Sequence, residues 1–369
     1  MGEPRKKRLV VKVGTNTLTG GEDRLAKPAM LGVVRQIAKL IREGHQVALV
    51  SSGAIVAGRQ ALSVARNGKD IPFKQVLAAV GQTRLMQMWD DLFSKEDLIV
   101  AQTLLTRTDL ADRQGYLNAR NTLLALLERQ VVPIINENDV VATEEIKIGD
   151  NDNLSALVAN LIDADLLILL TDQEGLFTAD PRRHATATLI EEVRVISDEI
   201  IALAAGAGTS RGTGGMMTKL QAARLATESG VTVLVAGGTA ENVLVRSVSG
   251  EPVGTRFPSN RTRMESRKRW ILAGLAGKAA AHIDAGAVTA LGRGRSLLPA
   301  GVVNVKGPFD RGDSVNIVGP EGKAVGCGVA NYSAADLERI KGCRSAEITT
   351  ILGYNFGDEV IHRNNVVML

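Results

Sequence analysis

Short apolar runs alternate with apolar positions spaced three and four apart along the first 250 residues or so. Leu9-Val10-Val11-Lys12-Val13 is β-branched and opens into Gly14-Thr15-Asn16-Thr17, the pattern of a buried parallel strand running into a polar loop. Between residues 27 and 43, Met30, Val33, Val34, Ile37, Leu40 and Ile41 recur at helical spacing, and Gly44 supplies the stop. Residues 46–50 predict a second strand, 72–94 a long helix, 98–105 a third strand, 117–128 a helix and 131–135 a fourth strand. The polar stretch 109–116 predicts a mobile loop. Leu154, Leu157, Val158 and Leu161 mark a further helix, and 165–170 a fully apolar strand. A short strand and a helix are expected within 193–205. A helix with Leu220, Ala223, Leu225 and Ala226 and a strand over 231–236 follow. Strands alternating with helices predict an α/β fold, one open and mostly parallel sheet sandwiched by helices.

The pattern changes after residue 277. Val302-Val303-Asn304-Val305, residues 307–312, Ser314-Val315-Asn316-Ile317-Val318 and residues 322–328 read as short strands and turns. Between the two patterns, residues 256–269 hold six basic side chains against one acidic, a net +5, punctuated by Pro258-Ser259-Asn260. A solvated linker is the expectation there. A chain of 369 residues exceeds what one hydrophobic core usually serves. The expected division is an α/β domain over 1–258, a linker over 259–277 and a small β-rich domain over 278–369.

Composition narrows the function classes. Aromatic residues make up 3% of the chain, poor material for a base-stacking surface. The net charge of +4 creates no strong field for polyanions, and Arg5-Lys6-Lys7-Arg8 reads as a solvated tail. RNA is therefore not expected as the main partner. No apolar run reaches membrane-spanning length and no signal-peptide core follows Met1, so a cytoplasmic protein without a membrane partner is expected. Cys327 and Cys343 lack metal-ligand spacing and read as reduced thiols. The four histidines are dispersed, and no protein-held metal is expected.

Chemistry concentrates where predicted strands end. Lys12 interrupts the first apolar run near its C-terminal end, where open α/β sheets place ligands, although a strand lysine can also snorkel to the surface. Ser51-Ser52-Gly53-Ala54 closes the second strand, with Ser52 as a pocket group or a helix cap. Asn136-Glu137-Asn138-Asp139 closes the fourth, where Asn136 and Asp139 suit an Asx turn as well as a ligand. Asp150-Asn151-Asp152-Asn153 stands just before the Leu154 helix and holds more polar groups than one cap uses. Gly212-Thr213-Gly214-Gly215-Met216-Met217-Thr218-Lys219 runs into a helix, whose free N–H groups attract phosphate. The P-loop pattern is absent, since three residues separate Gly215 from Lys219, and no GxGxxG follows the first strand. Two lysines and a carboxylate between them suit phosphoryl transfer, where catalysis is mostly placement and charge neutralisation. Asp152 is the candidate organiser. A carboxylate acceptor needs no general base.

Val11-Lys12-Val13-Gly14-Thr15, Ser51-Ser52-Gly53-Ala54-Ile55, Asn136-Glu137-Asn138-Asp139, Gly149-Asp150-Asn151-Asp152-Asn153, Leu170-Thr171-Asp172 and Gly212-Thr213-Gly214-Gly215-Met216 with Thr218-Lys219 occur in this order. Together they resemble the amino-acid-kinase family, in its glutamate-phosphorylating branch. Gly286-Ala287, Gly292, Ser296-Leu297-Leu298-Pro299, Gly301, Phe309 and Arg311-Gly312-Asp313 resemble a PUA domain. The resemblance implies ATP-dependent phosphorylation of the L-glutamate side-chain carboxylate, the first step of proline synthesis, with Mg²⁺ held mainly by the phosphates. It implies Lys12 and Lys219 as the charge-neutralising pair and Asp152 as their organiser. Gly14, Thr15, Thr171, Asp172 and Thr213, Gly214, Gly215, Met216, Met217, Thr218 and Lys219 would serve the nucleotide. Ser52, Gly53, Asn136, Asp139, Asp150 and Asn151 would hold glutamate. Feedback inhibition by proline, a homo-oligomer and coupling to glutamyl-phosphate reductase complete what it implies.

Overall fold

Alternation along the strands decides which side chains face the site. The structure is a computed structural model that describes residues 6–64, 70–142, 151–181, 183–206, 215–259 and 275–369. The chain divides into two compact units, Met1–Arg263 and Met264–Leu369.

The first unit runs β1 (Arg8–Val13), α1 (Thr15–Thr19), α2 (Lys27–Arg42), β2 (Gln46–Ser51), α3 (Ala54–Leu62), α4 (Ile71–Phe93), β3 (Val100–Leu105), α5 (Arg107–Ala111), α6 (Arg113–Glu128) and β4 (Val132–Glu137). It continues through α7 (Asn151–Leu161), β5 (Leu166–Thr171), α8 (Asp198–Gly206), α9 (Met216–Glu228), β6 (Thr232–Gly237), α10 (Val243–Ser249) and β7 (Thr255–Phe257). Its sheet has the order β3-β4-β2-β1-β5-β6-β7, with every neighbouring pair parallel except β6 and β7. Successive strand residues point to opposite faces. Leu9, Val11 and Val13 therefore enter the core shared with α2, α4 and α10, and Val10 enters the core shared with α6, α7 and α9. Lys12 follows Val10 in phase and pairs in register with Val50 and Leu169, both on that second face. The period of two aims its side chain toward α7 and α9. Strand order reverses beside β1, so the carboxyl ends of β1 and its neighbours form the crevice where open α/β sheets bind ligands.

Several sequence expectations need correction. Residues 109–116 are not a loop among the described elements: they close α5 and open α6. Thr106 and Asp109 form a capping box, the Asp109 carboxylate accepting the Thr106 N–H at 2.7 Å and the Thr106 hydroxyl accepting the Asp109 N–H at 3.1 Å. Asp112 then caps α6 by accepting the Gly115 N–H at 2.7 Å. The polar residues are helix starts. The stretch near Val193 forms no named strand; Glu192 makes an isolated bridge to Arg256. Arg256 lies in β7, exposed between buried Thr255 and Phe257. Asn151, Asp152 and Asn153 form the first turn of α7 rather than preceding it.

The second unit has β8 (Leu275–Ile283), α11 (Ala285–Gly292), β9 (Val302–Lys306), β10 (Ser314–Val318), β11 (Ala324–Val329), α12 (Ala334–Ile340), α13 (Ile348–Leu352) and β12 (Val366–Met368). β8 begins inside the stretch expected as linker, whose earlier residues, 260–274, lie outside the described ones. The sheet order is β12-β11-β10-β8-β9, antiparallel apart from β8 with β10. Ala281, Val315, Ile317, Tyr332, Leu337 and Ile348 fill a separate core. The buried Tyr332 hydroxyl donates to the Gly357 carbonyl at 2.6 Å and accepts the Phe356 N–H at 3.0 Å. The expected β-rich character is present, together with helices that short apolar spacing did not announce.

Candidate active site

Asp152 stands between two lysines. Its Oδ1 lies 2.7 Å from Lys12 Nζ and its Oδ2 3.2 Å from Lys219 Nζ. The Thr218 hydroxyl donates to Oδ2 at 2.7 Å. All three charged residues are at most 5% exposed. Each arrives from a different element: Lys12 from β1 by the alternation above, Asp152 from the first turn of α7, Lys219 from the first turn of α9. Burial pushes the Asp152 carboxyl up, but Lys12 and Lys219 outweigh it and hold the group well below the usual carboxylate range. Burial pulls the Lys219 ammonium below the ordinary lysine range; Asp152 opposes that pull and Lys12 adds to it. Two ammonium groups on one carboxylate leave a net positive charge out of water, an arrangement suited to an arriving anion. Gly14 adjoins it, since a side chain there would come within 3.4 Å of Lys12 Nζ. α9 starts at Gly215 without a side-chain cap, and although the Thr218 N–H donates to the Gly215 carbonyl at 3.2 Å, a helix start of this kind attracts anions.

A row of amides leads away from this cluster. The Asn151 side-chain N–H₂ donates to Ser52 Oγ at 3.1 Å and to Asn136 Oδ1 at 2.9 Å. Asn136 Nδ2 donates to Gln82 Oε1 at 2.8 Å, and its Oδ1 also accepts the Glu137 backbone N–H at 2.9 Å. Beyond Gln82 lies a cavity of about 280 Å³ lined by Ala78, Gln82, Thr83, Gln102, Leu104, Glu137 and Asp139, among others. Burial, then the neighbouring Glu137, push Asp139 up to about 7. Gln82 is a residue that sequence reading missed. It is placed by the α3–α4 crossing, where Gly58 and Gly81 let the helices touch: an added Cβ at Gly81 would stand 1.7 Å from the Ala54 carbonyl oxygen. Two glycines at this crossing were the available signal.

On the other side of β1, the Asp172 carboxylate accepts Asn16 Nδ2 at 3.0 Å and the Thr171 hydroxyl at 3.0 Å. Burial raises its pKa, and these hydrogen bonds overcome that and hold it low. Thr15 opens α1 directly after Gly14. Gly53 precedes α3 at φ +110°, a left-handed conformation that glycine adopts freely. The Met216 side chain packs in the core beside α7, while Met217 is half-buried. Asp150, Thr213 and Gly214 lie outside the described residues. Lys12, Asp152, Thr218 and Lys219 thus meet in one cluster. Ser52, Asn136 and Asn151 meet in a second, and Asp139 lines the cavity beside it.

The amino acid kinase family model matches residues 7–237, and the PUA domain model residues 280–352. The glutamate 5-kinase of Herpetosiphon aurantiacus is 55% identical over 361 residues, covering 98% of each chain. That of Dehalococcoides mccartyi is 52% identical over 373 residues and covers the whole of both. Carbamate kinase from Giardia lamblia bound to AMP-PNP, 18% identical, superposes with a TM-score of 0.51 over 69% of this chain and 99% of its own, a likeness of fold. Full-length similarity at this level carries more than the separate motifs. The chain belongs to the amino acid kinase family, within its glutamate 5-kinase group, and bears a PUA domain after the kinase unit.

Proposed function

We propose that this chain transfers the γ-phosphoryl group of ATP to the side-chain carboxylate of L-glutamate, giving glutamyl 5-phosphate and ADP. The observation that carries the reading is the buried Lys12–Asp152–Lys219 cluster at the carboxyl edge of the parallel sheet. A carboxylate oxygen of glutamate attacks the γ-phosphorus, the bond to the β-phosphate oxygen breaks, and ADP leaves with its electrons. No proton moves, because the acceptor is already ionised. Lys12 and Lys219 neutralise charge on the migrating group and the leaving phosphate, and Asp152 keeps their heads aligned. Gly14 and Thr15 approach the phosphates. Thr171, Asp172 and residues 213–219 serve the nucleotide. Ser52, Gly53, Asn136, Asp139, Asp150 and Asn151 receive glutamate.

Lys12 faces Asp152 Oδ1 and Lys219 faces Oδ2, and these two positive charges disfavour a metal ion on the same carboxylate. Mg²⁺ fits as a partner of the phosphates, where it supplies further charge neutralisation. The same reading includes a first step of proline synthesis in the cytoplasm, feedback inhibition by proline, a homo-oligomer and functional coupling to glutamyl-phosphate reductase. No described helix is long and apolar enough to cross a membrane.

The test is product formation from ATP, Mg²⁺ and a panel of acceptors: L-glutamate, L-aspartate, N-acetyl-L-glutamate, carbamate and UMP. Hydroxylamine trapping of an acyl phosphate with L-glutamate, at the highest kcat/KM of the panel, is the expected result. No hydroxamate and no ADP with L-glutamate would refute the reading.

A further inference from the structure

The orientation of one backbone N–H fixes the polarity of the whole amide row. The Glu137 N–H can only donate, so the Asn136 atom that receives it at 2.9 Å is the oxygen. The other end of that amide, Asn136 Nδ2, is then a donor, and the Gln82 atom 2.8 Å from it is the oxygen Oε1. Gln82 Nε2 is left over: a buried N–H₂ group without a hydrogen-bond partner among the described residues. The same logic turns Asn151 Nδ2 toward Asn136 and Ser52 and leaves the buried Asn151 Oδ1 without a partner among the described residues. Asp139 Oδ1 is likewise buried and unpartnered, and its residue is 7% exposed. Buried polar atoms are nearly always hydrogen-bonded, so orphans that line a cavity describe their ligand in negative. In this cavity they are one donor, Gln82 Nε2, and one acceptor, Asp139 Oδ1. Gln82 and Asp139 line the same cavity of about 280 Å³.

A simple carboxylate would suit the donor and be repelled by Asp139 and Glu137. A simple amine would suit the carboxylates and leave Gln82 unpaired. A zwitterion satisfies both. We propose that Gln82 is a specificity residue for the α-carboxylate of the amino-acid substrate, its Nε2 donating to that group while Asp139 takes the α-ammonium. The inference rests on the glutamate reading above and deepens it, by naming what separates an α-amino acid from any other carboxylate.

Gln82→Glu isolates the donor. It keeps an oxygen for Asn136 Nδ2 but replaces the N–H₂ group with a negative oxygen. The full-length chain is assayed with L-glutamate and with L-glutamate 1-amide, whose neutral carboxamide can donate where the carboxylate cannot. In the wild type kcat/KM favours L-glutamate by about ten- to hundredfold, the range of a hydrogen bond to a charged group. Gln82→Glu raises KM for L-glutamate by at least tenfold more than it changes kcat or KM for ATP, and it abolishes or reverses the preference over the 1-amide. Gln82→Met, close in length and lacking both polar atoms, loses the preference without reversing it. If the wild type uses L-glutamate but Gln82→Glu leaves the preference intact, or weakens both acceptors equally, the inference is overturned and the glutamate reading stands. If the wild type does not phosphorylate L-glutamate, both fall.

Discussion

Asp152 holds two ammonium groups on the two oxygens of one buried carboxylate, and the consequences of losing it differ from those of losing either lysine. Asp152→Asn leaves two buried cations facing each other. Removing one partner of a buried ionic group costs about 3–5 kcal/mol, and urea unfolding of the variant is expected to show a loss of that size. A loss below about 1 kcal/mol, the range of a surface pair, would mean that the cluster is well solvated. Asp139 gives a prediction in pH. Its pKa rises from 3.8 to about 7 on folding, so between those values the folded chain holds a proton that the unfolded chain has released. Stability contributed by that proton falls as pH rises through the window and is gone above about 7. Binding an α-ammonium needs the ionised form, so kcat/KM for L-glutamate is expected to rise with pH and level off near 7. Asp139→Asn should remove both slopes. A profile unchanged by that substitution would exclude Asp139 from ammonium binding.

Among elements, α4 has the clearest mechanical part. Its Gly81 meets the backbone of α3 so closely that an added methyl would stand 1.7 Å from Ala54 O. Gly81→Ala therefore pushes the helices apart, at a cost of about 1–3 kcal/mol by the usual penalty for overpacking. Because Gln82 follows directly, KM for the amino acid is expected to rise more than KM for ATP. Steady-state kinetics beside thermal unfolding check both halves. Parallel strands and long helices were legible in the sequence because their apolar periods are strong, and the phase of β1 even tells which face Lys12 takes. The α5 and α6 starts were not, since Asp109 and Asp112 read as loop polarity until the caps they form are seen. Lys12, Asp152 and Lys219 stood out as charges beside apolar runs. Gln82 did not, because a neutral amide within a 23-residue helix acquires meaning only from the strand end it meets.

At the scale of the whole molecule, each unit closes its own core around its own sheet. Ile317 is fully buried in the core of the second unit. Ile317→Ala is expected to cost that unit about 2–5 kcal/mol, as large-to-small core substitutions do. Denaturant unfolding of the full chain should show it, with KM for ATP and L-glutamate unchanged under native conditions. Altered kinetics at full folding would tie the PUA domain to catalysis. In the kinase unit, three elements deliver Lys12, Asp152 and Lys219 to one point at the carboxyl edge of the sheet.

That convergence is tested most directly by the turnover of Lys219→Ala, measured with saturating ATP, Mg²⁺ and L-glutamate on protein shown to be folded by circular dichroism. Loss of one preorganised positive group at the migrating phosphoryl predicts a fall in kcat of about 10²–10³-fold. A kcat within threefold of the wild type would contradict a role for the Lys12–Asp152–Lys219 cluster in phosphoryl transfer.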